Sequence, residues 1–214
     1  MLIEFLTPQV VNLHYPSQYH LCSAFIRIEE FYESPNPDFN GKFFTMDEYM
    51  DWYVDYQSTE PGMFTYFEDW SGFNIPGHVI KRFYDCYTPM CMRPKELDIV
   101  KAVQPLIDSG KKFYVIGTAS CCDSDTLAHE LRHATYYLDD NYREQCKAIY
   151  ATIPENIKKT INARLKKYGY SPSVWEDETQ AYLSTESVAD LMQRFETDLD
   201  LSDVANAYAA LKID

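Results

Sequence analysis

No basic, apolar leader opens this 214-residue chain: residues 1–8 read MLIEFLTP, without a positive charge or a long apolar run. A secretory signal is therefore not expected. No stretch approaches the length of a membrane span either, so no bilayer anchor is expected. Basic side chains are scarce: nineteen Lys and Arg stand against thirty-three Asp and Glu, a net charge of −14. That deficit argues against a nucleic-acid groove, which needs cations to meet phosphates. The six cysteines, at 22, 86, 91, 121, 122 and 146, lack the spacing of a disulfide framework. Reduced thiols and a cytoplasmic location are the expectation. Cys86 and Cys91, or the pair Cys121 and Cys122, have no matching second pair to complete a metal site, and read as small apolar fillers. Internal repeats, low-complexity tracts and flexible linkers are also missing. The chain is long enough to bury one core, and a single domain over 1–214 organised as two lobes is expected.

What is present is unevenly distributed. Residues 1–80 carry twelve acidic side chains against two basic, and 171–214 carry ten against two, whereas 81–170 are slightly basic. Most aromatics lie in the first 90 residues and suggest a lobe (1–118) whose core is built from Phe and Tyr. Residues 2–6 and 24–28 read as strands, the second with helix as an alternative. Thr45-Met46-Asp47-Glu48 is a capping box that opens a helix to about 57. Pro61-Gly62 marks a turn. Asn74-Ile75-Pro76 reads as the start of a helix to about 87. Pro94 starts another that Gly110 ends. Residues 113–118 read as a strand. Helices follow over about 125–140, 141–152, 154–168 (stopped by Gly169), 172–184, 187–197 and 202–212. The pattern is α+β: an N-terminal lobe with a small sheet and a mainly helical C-terminal lobe (119–214).

The chemistry concentrates in His129-Glu130-Leu131-Arg132-His133, an HExxH motif. Residues four apart share a helix face, so both imidazoles can reach one zinc ion. Glu130 can then take a proton from the water on that zinc. Asp123, Ser124 and Asp125 supply capping and first-turn residues just ahead. Asp123 or Asp125 could instead support an imidazole as an outer carboxylate.

A catalytic zinc takes three protein ligands. Asp139, six residues after His133, occupies the third-ligand position of a longer motif. That motif needs a glycine where this chain has Tyr136, which has no easy access to positive φ. Asp139 otherwise reads as a C-terminal residue of its helix or, with Asp140, as the N-cap pair of the next one. A second candidate lies in Trp175-Glu176-Asp177-Glu178-Thr179-Gln180-Ala181-Tyr182-Leu183. Trp175, Glu178, Ala181 and Tyr182 share one helical face, and a carboxylate on such a stripe needs a partner. Glu178 is the preferred third ligand and Glu176 the fallback. The alternative is a fully solvated charge run.

HELRH followed by DETQAYL resembles the gluzincin clan of zinc metallopeptidases, over about residues 113–185. The resemblance implies a zincin-like fold with the active-site helix between the two lobes. It implies His129, His133 and Glu178 as ligands, Glu130 as general base, Zn2+ as cofactor and a peptide or protein substrate. It also implies that strand 113–118 pairs with an extended substrate by β-addition. The oxyanion would need one further donor, with Tyr182 first and Tyr136, Tyr137 and Arg132 as others. Two rival readings are an acidic interaction module with a structural HExxH site, and a zinc hydrolase of a non-peptide amide or ester. The interaction module predicts a closed, four-ligand site.

Overall fold

The computed structural model describes residues 1–120, 124–168 and 170–213, with the side chains of Ser124 and Asp125 left out. The cysteine pair at 121–122, the capping candidates Asp123 and Asp125, and the helix stop at Gly169 lie outside what is described. The chain divides into two compact units, residues 1–123 and 124–214. In sequence order, a four-stranded mixed sheet with its helices is followed by a mainly helical region.

The first unit opens with a hairpin, β1 (Leu2–Thr7) and β2 (Val10–Tyr15). Thr7 Oγ1 accepts from the backbone N–H groups of Gln9 and Val10 and holds the turn. Helix α1 (Gln18–Glu33) follows, then α2 (Met46–Tyr56), the short α3 (Tyr66–Asp69) and β3 (Phe73–Pro76). Helices α4 (Gly77–Cys91) and α5 (Pro94–Ser109) lead to β4 (Tyr114–Ala119). The strand order is β1-β2-β4-β3, with β2 and β4 parallel and the other pairs antiparallel.

Several local expectations hold. Thr45 and Glu48 form the reciprocal capping box at α2, Pro94 opens α5, and Gly110 closes it at φ +66°. Residues 24–28 belong to α1 and not to a strand. Leu21 through Ile28 are buried without interruption, Ser23 and Arg27 included, so burial shows no period that separates helix from strand. Asn74-Ile75-Pro76 is strand β3, and the helix starts one residue later. Strand β4 is internal, paired to β2 along its whole length and to β3 over residues 114–117, and over those four residues it offers no free edge for β-addition. The edges are β3 and β1, and β1 exposes Leu2, Ile3 and Phe5.

Helix α1 lies so close to the sheet that a Cβ at Gly117 would sit 2.8 Å from Leu21 Cδ1 and Phe25 Cε2. On its other side Arg27 forms a buried pair with Glu96 of α5, at 2.8 and 2.5 Å, and also donates to the carbonyls of Phe44 and Cys91. The second unit contains α6 (Ser124–Leu138), α7 (Asp140–Thr152), α8 (Glu155–Lys167), α9 (Trp175–Thr185), α10 (Val188–Arg194) and α11 (Ser202–Ala209). Its own core joins Tyr142, Ile161, Leu165, Leu183, Leu191 and Tyr208. Among the described residues, no helix in either unit is long and apolar enough to cross a membrane.

Two stability predictions follow from this packing. Gly117→Val forces a branched side chain into the Leu21–Phe25 contact and lowers unfolding stability by about 1–3 kcal/mol, read from the denaturant midpoint. Glu30 on α1 is buried, which pushes its carboxyl up from 4.5 to about 7, with Glu33 adding to the rise while Tyr49 and Ser34 oppose it. The folded state therefore binds this proton more tightly than the unfolded state. The resulting stabilisation is complete below about pH 4.5 and is lost as pH rises towards 7, up to roughly 3 kcal/mol. Glu30→Gln removes that component from a midpoint-versus-pH series.

Candidate metal centre

Helix α6 turns Glu130, His133 and Ala134 into the interior of the second unit, at the i, i+3, i+4 spacing of one helical face. Helix α9 packs against it and buries Glu178 and Ala181. Ala134 and Ala181 are fully buried, and their small side chains let the two backbones come close. The sequence separation of 45 residues between His133 and Glu178 is thereby closed.

His129, His133 and Glu178 form a group that can hold a metal ion, with ligand atoms within 4.8 Å of one another. The two Nε2 atoms are 3.1 Å apart, and His133 Nε2 lies 3.7 Å from Glu178 Oε1. Donors around a tetrahedral zinc, with bonds of about 2.0–2.1 Å, stand about 3.3 Å apart, so these spacings fit such a centre. Two imidazoles and one carboxylate are also a donor set suited to zinc.

Asp177 completes the arrangement. Its Oδ1 lies 3.0 Å from His133 Nδ1, which places an N–H on that side and turns Nε2 towards the group. Burial opposes charge on His133, but Asp177, Glu178 and Glu130 outweigh it and raise the imidazole to about 10. Burial, His133 and Arg194 push His129 well below its ordinary value. The two rings thus carry no more than one positive charge between them, and their Nε2 atoms are within hydrogen-bond distance. Glu130 is 7 % exposed, and its charge acts on both His133 and the Tyr170 phenol.

Tyr182 lies with its ring 4.5 Å from that of His129, between it and the Arg194 guanidinium. Its hydroxyl is 3.2 Å from that of Tyr170. Burial pushes the Tyr182 phenol up to about 12, and burial with Glu178, Tyr182 and Glu130 raises Tyr170 further. Both therefore stay protonated as donors. The other candidates are engaged elsewhere. Tyr136 donates to Glu176 at 2.5 Å, which accounts for the fallback ligand as well. Asp139 caps α7, accepting from the N–H groups of Asn141 and Tyr142. Arg132 donates to Tyr142 and to the Leu211 carbonyl, and Tyr137 is half-buried.

Asp177 and Tyr170 have no role in the sequence reading. The signal for Asp177 was present, since it adjoins Glu178, but a run of three acids reads as solvated. Tyr170 carries no pattern of its own. Comparison with family models, with curated proteins and with solved structures yields no match to this chain. What the structure adds is a possible metal-binding triad of His129, His133 and Glu178.

Glu178→Ala removes one of three donors and is expected to weaken zinc binding by at least 10-fold in calorimetric titration. Asp139→Ala is expected to leave that affinity unchanged while costing about 1 kcal/mol of stability through the lost α7 cap.

Proposed function

We propose that this protein is a zinc-dependent hydrolase of peptide bonds, with His129, His133 and Glu178 as ligands and Glu130 as general base. The observation that carries this reading is the three-donor group beside a buried glutamate. No fourth His, Cys, Asp or Glu joins the group among the described residues. Structural zinc sites are closed by four protein ligands, whereas catalytic ones keep a position open. The three-donor set therefore favours a reaction over the closed site of a pure interaction module.

Zinc held there supplies a Lewis acid for the scissile carbonyl and makes water acidic enough to lose a proton near neutral pH. Glu130, one residue from a ligand on the same helix, accepts the proton of the attacking water and returns it to the leaving nitrogen. Asp177 holds the His133 ring in orientation throughout. Tyr182 and Tyr170 carry two O–H groups between them, and their mutual contact uses one. The other is left to donate to the oxyanion that develops on the substrate carbonyl. Tyr182 thus keeps its place as a donor candidate and gains Tyr170 as a partner.

Zinc content and cleavage of a general protein substrate test this reading in the wild type and in Glu130→Gln. The variant is expected to retain zinc and to lose at least about 100-fold in rate, as for removal of a general base. A wild type that takes up no zinc under saturating metal overturns the proposal. Tyr170→Phe and Tyr182→Phe are each expected to lower kcat with little change in KM, because the donor acts on charge formed during reaction.

A further inference from the structure

We propose that Arg132, Tyr142 and Gln180 are positioning residues that fix His133 for metal binding through one directional chain of hydrogen bonds. The inference rests on the reading of His129, His133 and Glu178 as the metal centre. Arg132 Nη1 donates to Tyr142 Oη at 3.0 Å. A guanidinium can only donate, so the tyrosine oxygen is an acceptor there. Its single O–H then goes to Gln180 Oε1 at 2.8 Å. That fixes the amide, whose Nε2 donates to Asp177 Oδ1 at 2.9 Å. The carboxylate can only accept, and it takes the His133 Nδ1–H at 3.0 Å. Each member has one orientation, and the last consequence is that Nδ1 of His133 is engaged and Nε2 is the nitrogen left to face a metal.

The surroundings enforce that direction. Tyr142 is 2 % exposed, Gln180 0 % and His133 3 %. Buried polar groups of this kind are held tightly, since a flipped amide would set oxygen against oxygen. Cys146 also borders the Tyr142 hydroxyl, and burial pushes its thiol up to about 12. It stays an S–H, whose sulfur is a weaker acceptor for the tyrosine hydrogen than the Gln180 oxygen at 2.8 Å.

Geometry gives the chain a second property: it is closed. Arg132 and His133 are neighbours on α6, so the path leaves α6, crosses α7 at Tyr142 and α9 at Gln180 and Asp177, and returns to α6. Arg132 Nη1 also donates to the Leu211 carbonyl at 3.0 Å, which ties the segment after α11 to the same loop. The orientation of one imidazole therefore depends on the relative placement of three helices.

The test uses the full chain with Zn2+ and Co2+ as probes. Zinc affinity is measured by competition with a chromophoric chelator, and the visible spectrum of the Co2+ form reports ligand geometry. Tyr142→Phe keeps the ring and loses the hydroxyl. Gln180→Met keeps the volume and loses both bonds. Each is expected to weaken zinc about 10-fold or more and to alter the Co2+ spectrum, as for other outer partners of a metal-bound histidine. The double variant is expected to lose no more than the worse single one, because both break the same chain. Tyr150→Phe, which removes a hydroxyl bond to Asn162 elsewhere in this unit, serves as control and leaves affinity unchanged. Wild-type zinc binding with unaltered affinity in Tyr142→Phe and Gln180→Met overturns this inference alone, as do losses that simply add. A wild type that binds no zinc overturns the metal reading and this inference with it.

Discussion

Three carboxylates, those of Glu130, Asp177 and Glu178, act on the single buried imidazole of His133. Negative groups gathered in an interior are costly unless a cation meets them. One proton on His133 meets part of that demand, and a divalent metal meets it more fully while using the same lone pairs. Much of the second unit follows from this requirement. Helix α9 must lie against α6, because two of the three carboxylates are on α9 and the imidazole is on α6. Small residues sit where those helices approach, and Tyr136 ties up Glu176 so that it stays out of the group.

The site was legible in sequence to the extent that it depends on helical periodicity. HELRH gives its geometry away because four residues make nearly one turn. Glu178 was legible because a carboxylate on a stripe with Trp175, Ala181 and Tyr182 needs an explanation. Asp177 was not, since which member of an acidic run meets an imidazole depends on how the helix is rotated against its neighbour. Tyr170 was not, since only the fold brings the segment after α8 back to Tyr182. Asp139 was legible in both its readings: its spacing fits a ligand, its place before Asp140 fits a helix cap, and in the fold it caps α7.

The sheet was less legible than the helices for a related reason. Strand β2 does alternate, with Val11, Leu13 and Tyr15 on one face and Asn12 and His14 on the other, but so short a run does not say which strands it joins. It is a strand because β1 and β4 pair with it on both sides, and Thr118 Oγ1 donates to Asn12 Oδ1 at 2.9 Å. The pairing of β2 with β4 joins residues about a hundred positions apart, beyond any local pattern. Caps and helix stops, in contrast, are written in neighbouring residues, and Thr45, Glu48, Pro94 and Gly110 behave as their local chemistry dictates.

The open edge of β1 gives the acidity of the chain a further meaning. An apolar edge strand with unpaired backbone groups is a template for another strand, and charged residues on such edges normally guard against that. Here Glu4 is the sole charge in the strand, and Leu2, Ile3 and Phe5 are exposed around it. Two copies that align these edges antiparallel in any register centred within the strand place Glu4 against itself or against an uncharged side chain. Each copy also brings a net charge of −14. Long-range repulsion thus does what local residues leave undone, and keeps like edges apart. That protection weakens as the chain is titrated towards its isoelectric point near pH 4.7, so the acid limit of this protein is colloidal as well as conformational.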